Sequence, residues 1–227
     1  MGAWDWWHQG DMVARGTAVL LLAMSVLSWV LILWKAWLLA EARRSVPRSI
    51  ALWWQSPDLQ TAGQRVQAAD RTGWVAGLVA AAAAEPAGAS PSTLEARTAE
   101  GLRLTRRLRA ALQQAQQRLQ AGQTLLATLA AAAPFVGLLG TVWGIHRALL
   151  ALTGGGPVTL DRLAAPVGEA LVMTALGLAV AIPALVAYNL LGRGIEWVES
   201  ELDALAHDLQ AWSGTAPADA AALPPSA

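Results

Sequence analysis

The chain has 227 residues, of which 55% are apolar or aromatic and only 14% charged, and its sixteen Lys+Arg balance sixteen Asp+Glu. A formally neutral chain lacks the whole-molecule basic field that draws proteins to nucleic acid. With no Cys, a single Lys and three His, the composition leaves no basis for disulfides, thiol-ligated metals, a P-loop or a His-rich metal centre, and no cofactor is expected.

Three stretches carry no formal charge: Gly16–Trp34, Leu119–His146 and Ala170–Gly192. About twenty apolar residues are needed to cross roughly 30 Å of hydrocarbon, and backbone in lipid must satisfy its own hydrogen bonds within a helix. The expectation is an all-α integral membrane protein with transmembrane helices over 14–38, 124–150 and 166–191.

Residues 1–13 form the N-terminal tail. Asp5 and Asp11 outweigh its basic content, which is the wrong charge for the leading region of a signal peptide. Span one is therefore read as an uncleaved anchor, although Ala40 and Ala42 could mimic a cleavage site. Trp4, Trp6 and Trp7, with Trp34 and Trp37 at its other end, fit interfacial aromatic belts. The segment 41–123 holds eleven of the sixteen Lys+Arg, so the positive-inside rule places the 39–123 region in the cytoplasm and the N-terminus outside.

Within that region an Ala/Pro/Ser/Gly-rich linker is expected over 80–92, after weak helical signals over 43–79. Ser92 and Glu95 have the spacing of a capping box. A long helix should follow, its Leu94, Leu102, Leu108, Leu112 and Leu119 interleaved with Arg97, Arg103, Arg106, Arg107 and Arg109. No helix breaker precedes Gly122, so this helix is expected to run on into span two. Its arginines suit either a solvated, subunit-facing stripe or anionic lipid headgroups.

A short outer loop over 151–165 leads to span three. Beyond it, over 192–212, Ile195, Val198, Leu202, Leu205, Leu209 and Trp212 recur at helical spacing. The opposite face is acidic (Glu196, Glu199, Glu201, Asp203, Asp208) and is expected to pair with the arginine-rich helix. Residues 213–227 are Ala/Pro-rich and are expected to be disordered.

Inside the spans, Gly137, Gly140 and Gly144 in span two and Gly177 in span three allow close helix approach. Pro134 and Pro183 remove backbone donors and should kink their helices. Counting helix rise brings Thr141 and Thr174 to a similar depth on two antiparallel helices. Each hydroxyl either bonds the carbonyl a turn back or lines a pathway. Glu169, just after Pro166, either complements the helix dipole or stands at the mouth of such a pathway. No ionisable side chain lies at mid-membrane, so a proton carrier, if there is one, must come from a partner. The spans contain no Ser/His pair, carboxylate pair or metal-ligand set, so an enzyme is not expected.

Two motifs then carry a resemblance. Ala133-Pro134-Phe135-Val136-Gly137-Leu138-Leu139-Gly140-Thr141-Val142-Trp143-Gly144-Ile145 resembles the signature of the TolQ/ExbB/MotA proton channel family. So does Ala165-Pro166-x-x-Glu169-Ala170-Leu171-x-x-Thr174-Ala175-x-Gly177-Leu178-x-Val180-Ala181-Ile182-Pro183-Ala184, ending in Tyr188-Asn189. The N-terminal region, with its His-x-x-Asp stretch, is more similar to ExbB than to TolQ, and three spans argue against the four-span MotA branch.

The resemblance implies a homo-oligomeric helical bundle, a pentamer around a central pore, in the bacterial inner membrane. The N-terminus would be periplasmic and the C-terminus cytoplasmic. It implies an ExbD-like single-span partner supplying the titratable Asp, and a TonB-like transducer that energises outer-membrane transport. It places Thr141 and Thr174 in the pore, with Glu169 near its entrance. Alternatives are a TolQ-like subunit of the Tol-Pal system and a non-conducting scaffold. Ala133 stands where the family often has Ser. His146 and Arg147 are more basic than the usual residues after the motif.

Overall fold

The computed structural model describes residues 12–84, 94–152 and 160–215. They fold into six helices: α1 (Met12–Trp54), α2 (Leu59–Ala69), α3 (Trp74–Ala83), α4 (Leu94–Gln120), α5 (Gln123–Leu152) and α6 (Leu160–Thr215). Three helical stretches, Met12–Trp54, Gly101–Leu150 and Pro166–Trp212, are long and apolar enough to cross a membrane.

Several boundaries differ from the sequence expectation. Helix α6 begins at Leu160 and takes Pro166 inside it, so the outer loop expected over 151–165 is shorter. The same helix continues unbroken through the expected junction at 192 and includes Ser213–Thr215 of the expected tail, whose remainder lies outside the described residues. Helix α3 absorbs Ala80–Ala83 of the expected linker. Residues 85–92 of that linker, including Ser92 of the expected cap, and Trp4, Trp6 and Trp7 lie outside what is described.

Helix α4 does not run on into span two. It stops at Gln120, and α5 restarts at Gln123 after Gly122 adopts φ +82°. That left-handed conformation strains any residue with a Cβ. Leu31 Cδ2 also lies 3.4 Å from where a Cβ on Gly122 would sit.

The chain divides into two compact units, one of Met1–Ala36 with Gly122–Gly192 and one of Trp37–Ala121 with Arg193–Ala227. In the first, Leu21 and Met24 of α1 pack with Leu129 and Ala133 of α5 and Ala181 of α6. The outward surface is apolar: Leu22, Val26, Trp29, Val30 and Leu33 on α1, Phe135 and Val142 on α5, and Leu171 and Ile182 on α6 are exposed. An apolar outside around helices that satisfy their own backbones is the arrangement hydrocarbon demands.

The second unit is ordered the other way. Leu39, Ala42, Val46 and Trp53 of α1, Leu104, Leu108, Ala115 and Leu119 of α4, and Ile195, Val198, Leu202, Leu205 and Leu209 of α6 are buried. Helix α3 packs on α2 and α4. A Cβ at Gly194 would lie 3.1 Å from Leu39 Cδ1, and Trp212 stacks edge-on against Trp53 with centroids 6.3 Å apart. The two helices therefore run parallel here.

Helix α4 runs antiparallel to α6: Gln120 Nε2 donates to Glu199 Oε1 at 3.1 Å, and Gln210 Nε2 donates to Thr105 Oγ1 at 2.8 Å. Among the described side chains the expected pairing of arginines with acidic residues does not form: no α4 arginine among them makes a salt bridge with α6. Arg103, Arg106, Arg109 and Arg118 stay exposed, where an ion pair would gain little over hydration. Arg107 instead donates to the carbonyl of Ala84 at the end of α3.

The corner between α2 and α3 rests on one carboxylate. Buried Asp70 accepts from the backbone N–H groups of Thr72 (3.0 Å), Gly73 (3.0 Å) and Ala76 (2.9 Å) and from the Thr72 hydroxyl (2.6 Å). Asp70→Ala leaves those donors unsatisfied and should destabilise the corner by about 1–3 kcal/mol. Faster hydrogen exchange at Thr72, Gly73 and Ala76, with exchange in α6 unchanged, is the expected readout.

Asp58 caps α2, and the backbone N–H and then the hydroxyl of Thr61 hold its carboxyl below its ordinary value of 3.8. A depressed folded value means the cap is fully present above that ordinary value and is lost as pH falls below it. The Thr61 amide resonance should therefore titrate with a midpoint under 3.8, and Asp58→Asn should abolish that titration.

Candidate functional site

The site begins with glycines. In α5 and α6 of the first unit, a Cβ on Gly137 would lie 2.7 Å from the Met173 carbonyl oxygen, and one on Gly177 would lie 2.7 Å from the Ala133 carbonyl oxygen. The two helices thus touch backbone to backbone. The same seam continues at Gly140, whose Cβ would meet Met173 Cβ at 2.8 Å, and at Gly144, whose Cβ would meet Ala170 Cβ at 2.6 Å. Lipid gives helices no hydrophobic reason to associate, so such contacts depend on small residues and close packing. Pro134 and Pro183 lie inside α5 and α6.

Residues four apart share a helix face, so Thr141 follows Gly137 onto this seam. It is buried, at 6% exposure, and its hydroxyl donates to the Leu138 carbonyl at 2.7 Å. Thr174, three residues before Gly177, is half-buried, and its hydroxyl donates to Thr141 Oγ1 at 3.4 Å. The two threonines that rise counting put at one depth are therefore in contact. Thr141 thus makes the ordinary bond to a carbonyl one turn back as well as the contact with Thr174.

Glu169 is exposed on α6. It lies beyond the Gly144–Ala170 contact, on the side away from Gly137–Gly177. Because α6 starts at Leu160, Glu169 sits in the third turn, too far in to complement the helix dipole. His146 and Arg147 are exposed on α5 at the same end, with the His146 ring edge-on to Trp143 at 5.7 Å. Tyr188 and Asn189 are exposed and do not join the threonines.

Several buried polar side chains escaped the sequence reading, Asp70, Thr17 and Lys35 among them. Thr17 of α1, 5% exposed, donates to the carbonyls of Val13 (3.0 Å) and Ala14 (2.9 Å), and its Oγ1 lies 3.6 Å from where a Cβ on Gly140 would be. Its spacing with Leu21 and Met24 was the available signal. Lys35 is 3% exposed, its ammonium 5.5 Å from the centroid of the Trp34 ring, within cation–π range. Among the described residues no group of three or more His, Cys, Asp or Glu could hold a metal ion.

The model of the MotA/TolQ/ExbB proton channel family matches residues 76–204, a segment containing both threonines and the glycine seam. The chain belongs to this family. As a MotA/TolQ/ExbB member with three membrane-length helices it is a multi-pass inner-membrane protein. It is 38% identical over 212 residues to the biopolymer transport protein ExbB of Xanthomonas campestris pv. campestris, covering 91% of this chain and 84% of that protein. It is 37% identical to ExbB of Neisseria meningitidis, covering 89% and 92%. The Tol-Pal system protein TolQ of Pseudomonas aeruginosa is 30% identical, covering 82% and 81%. The chain is thus an ExbB-like member of a family of channel and transport subunits.

The seam predicts a contrast between glycines. Gly137→Ala and Gly177→Ala each force a methyl against backbone and should destabilise the α5–α6 pair by about 1–3 kcal/mol or more. Gly168 has nothing within 4 Å of its Cβ position, so Gly168→Ala should be neutral or stabilising by up to about 1 kcal/mol. Thermal unfolding in one detergent compares all three.

Proposed function

We propose that this chain is the ExbB-like subunit of a proton-motive-force-driven motor of the inner membrane. It assembles as a homo-pentamer around a central pore, holds an ExbD-like single-span partner, and energises a TonB-like transducer for transport across the outer membrane. The N-terminus is periplasmic, and the charged parts of α1, α4 and α6 extend into the cytoplasm. The observation that carries this reading is the Thr141–Thr174 contact at 3.4 Å, formed by the two signature motifs where Gly137 and Gly177 bring α5 and α6 backbone to backbone.

A proton enters near Glu169 and neutralises a carboxylate on the partner's helix. That helix then shifts past the threonines, and the proton leaves to the cytoplasm. One charge moved through 100 mV supplies about 2.3 kcal/mol, so work on a folded transducer requires several protons per cycle. A TolQ-like output through the Tol-Pal system is the second reading, favoured by the TolQ match. The two differ in output partner, not in the chemistry of the spans.

Native mass spectrometry after co-expression with a single-span partner tests the assembly. Five copies with a substoichiometric partner support the motor; a monomer or dimer that retains none favours a non-conducting scaffold. Thr141→Ala and Thr174→Ala should each lower energy-dependent uptake about tenfold, the effect of roughly 1.4 kcal/mol, while leaving the oligomer intact. Full uptake by both variants would remove the threonines from the pathway.

A further inference from the structure

We propose that α1, where it leaves the membrane, carries a binding site for an anionic phospholipid headgroup, formed by Arg43 and Arg44 of α1 and Arg193 of α6 next to Trp37. This site is apart from the threonine pair and depends on the membrane placement of the helices, not on the motor reading.

The apolar surface of α1 ends at one residue. Trp37, 67% exposed, is the last large apolar side chain that α1 exposes before Trp54, and indoles favour the level where hydrocarbon gives way to headgroups. Arg44 follows seven residues later on the same helix face, and Arg43 and Arg44 are both exposed. Arg43 Nη2 lies 3.7 Å from where a Cβ on Gly194 would be, and Leu39 Cδ1 lies 3.1 Å from that point. The absent side chain thus leaves a notch in α6 over which the Arg43 guanidinium rests, beside exposed Arg193.

Among the described side chains none of these three arginines forms an ion pair. Glu41, the acid of α1 at this level, faces Arg71 at 3.8 Å, and Glu196 is exposed one turn beyond Arg193 on α6. Cations gathered from two helices repel one another until an anion joins them. Guanidinium forks match phosphate oxygens. Trp37 on the same face makes the occupant a lipid, since an acyl chain can lie against the indole and inorganic phosphate has no use for it.

Chain direction decides which arginines reach the headgroups. Helical side chains lean toward the N-terminus, and long arginine stems extend that lean along apolar surface. Helices α1 and α6 both leave the membrane toward their C-termini, so Arg43, Arg44 and Arg193 lean back toward it. Helix α4 runs the other way. Arg118 in its last turn leans away from the membrane, and Arg103, Arg106 and Arg109 lie about two to four turns further off. The headgroup role open to the α4 arginines in sequence therefore passes to α1 and α6.

The test uses the full-length protein, in the assembly it forms in a neutral detergent, titrated with phosphatidylglycerol while native mass spectrometry counts bound lipid. Phosphatidylcholine and inorganic phosphate are run in parallel. Arg43→Gln/Arg44→Gln should weaken phosphatidylglycerol binding about 25-fold, roughly fivefold for each basic residue lost near an anionic surface. Lys at both positions should recover most of it. Arg103→Gln/Arg106→Gln/Arg109→Gln removes more charge and should leave binding unchanged.

Equal loss in the two variants would reduce the effect to net charge and overturn the site, as would full binding by the α1 pair. Phosphatidylcholine binding as tightly as phosphatidylglycerol, or displacement of the lipid by equimolar inorganic phosphate, would overturn the assignment to an anionic lipid. Should the α1 pair fail to assemble, Arg44→Gln alone leaves the Arg43–Gly194 packing in place and carries the fivefold prediction.

Discussion

Backbone contact between α5 and α6 at Gly137 and Gly177 is the constraint on which the site depends. Each missing Cβ leaves room for the opposite helix's carbonyl oxygen, and the reciprocity of the two contacts fixes both separation and register. Thr141 and Thr174 sit one turn or less from these glycines on the same faces, so their hydroxyls meet because the glycines hold the helices together. Wider separation would leave each threonine bonded only to its own helix. A pair of small residues thus converts two unremarkable hydroxyls into a coupled polar unit in an apolar surround.

Helices α1 and α6 each serve two solvents. Along α1 the buried positions keep one period through Thr17, Leu21, Met24, Ser28, Lys35, Leu39, Ala42, Val46, Ser49 and Trp53. What changes is the outward face. Val26, Val30 and Leu33 are exposed early in the helix and Arg43, Arg44 and Arg48 later. In α6 the corresponding change is from Ile182 and Val186 to Glu196, Asp203 and Asp208. Seam and surface are thus specified separately along one continuous helix.

The parts of this fold visible in the sequence are those set by solvent. Charge-free runs of about twenty residues admit little besides a membrane helix, and the apolar period after Gly192 marked the face that is buried in α6. Helix ends were less legible because they depend on local geometry. Pro166 looked like a helix start, since proline is favoured at the first helical position, yet Leu160–Ala165 precede it in the same helix. Gly122 was visible as the only breaker before span two, but its positive φ was not. For the site, rise counting gives depth without azimuth. It could place Thr141 and Thr174 at one level, but only the packed glycines show that they face each other. Thr17 went unread because its spacing with Leu21 and Met24 marks a buried face without showing what lies across the seam.

Lys35 has a practical consequence in the chemistry of labels. It is the only lysine in the chain, and it is 3% exposed with its ammonium over Trp34. Amine-directed reagents therefore have one internal target, and that target is covered in the conformation described here. Any conformational change that separates α1 from its neighbours at this level would uncover it. Acylation at a single native site, with no introduced cysteine, would then report how often that seam opens.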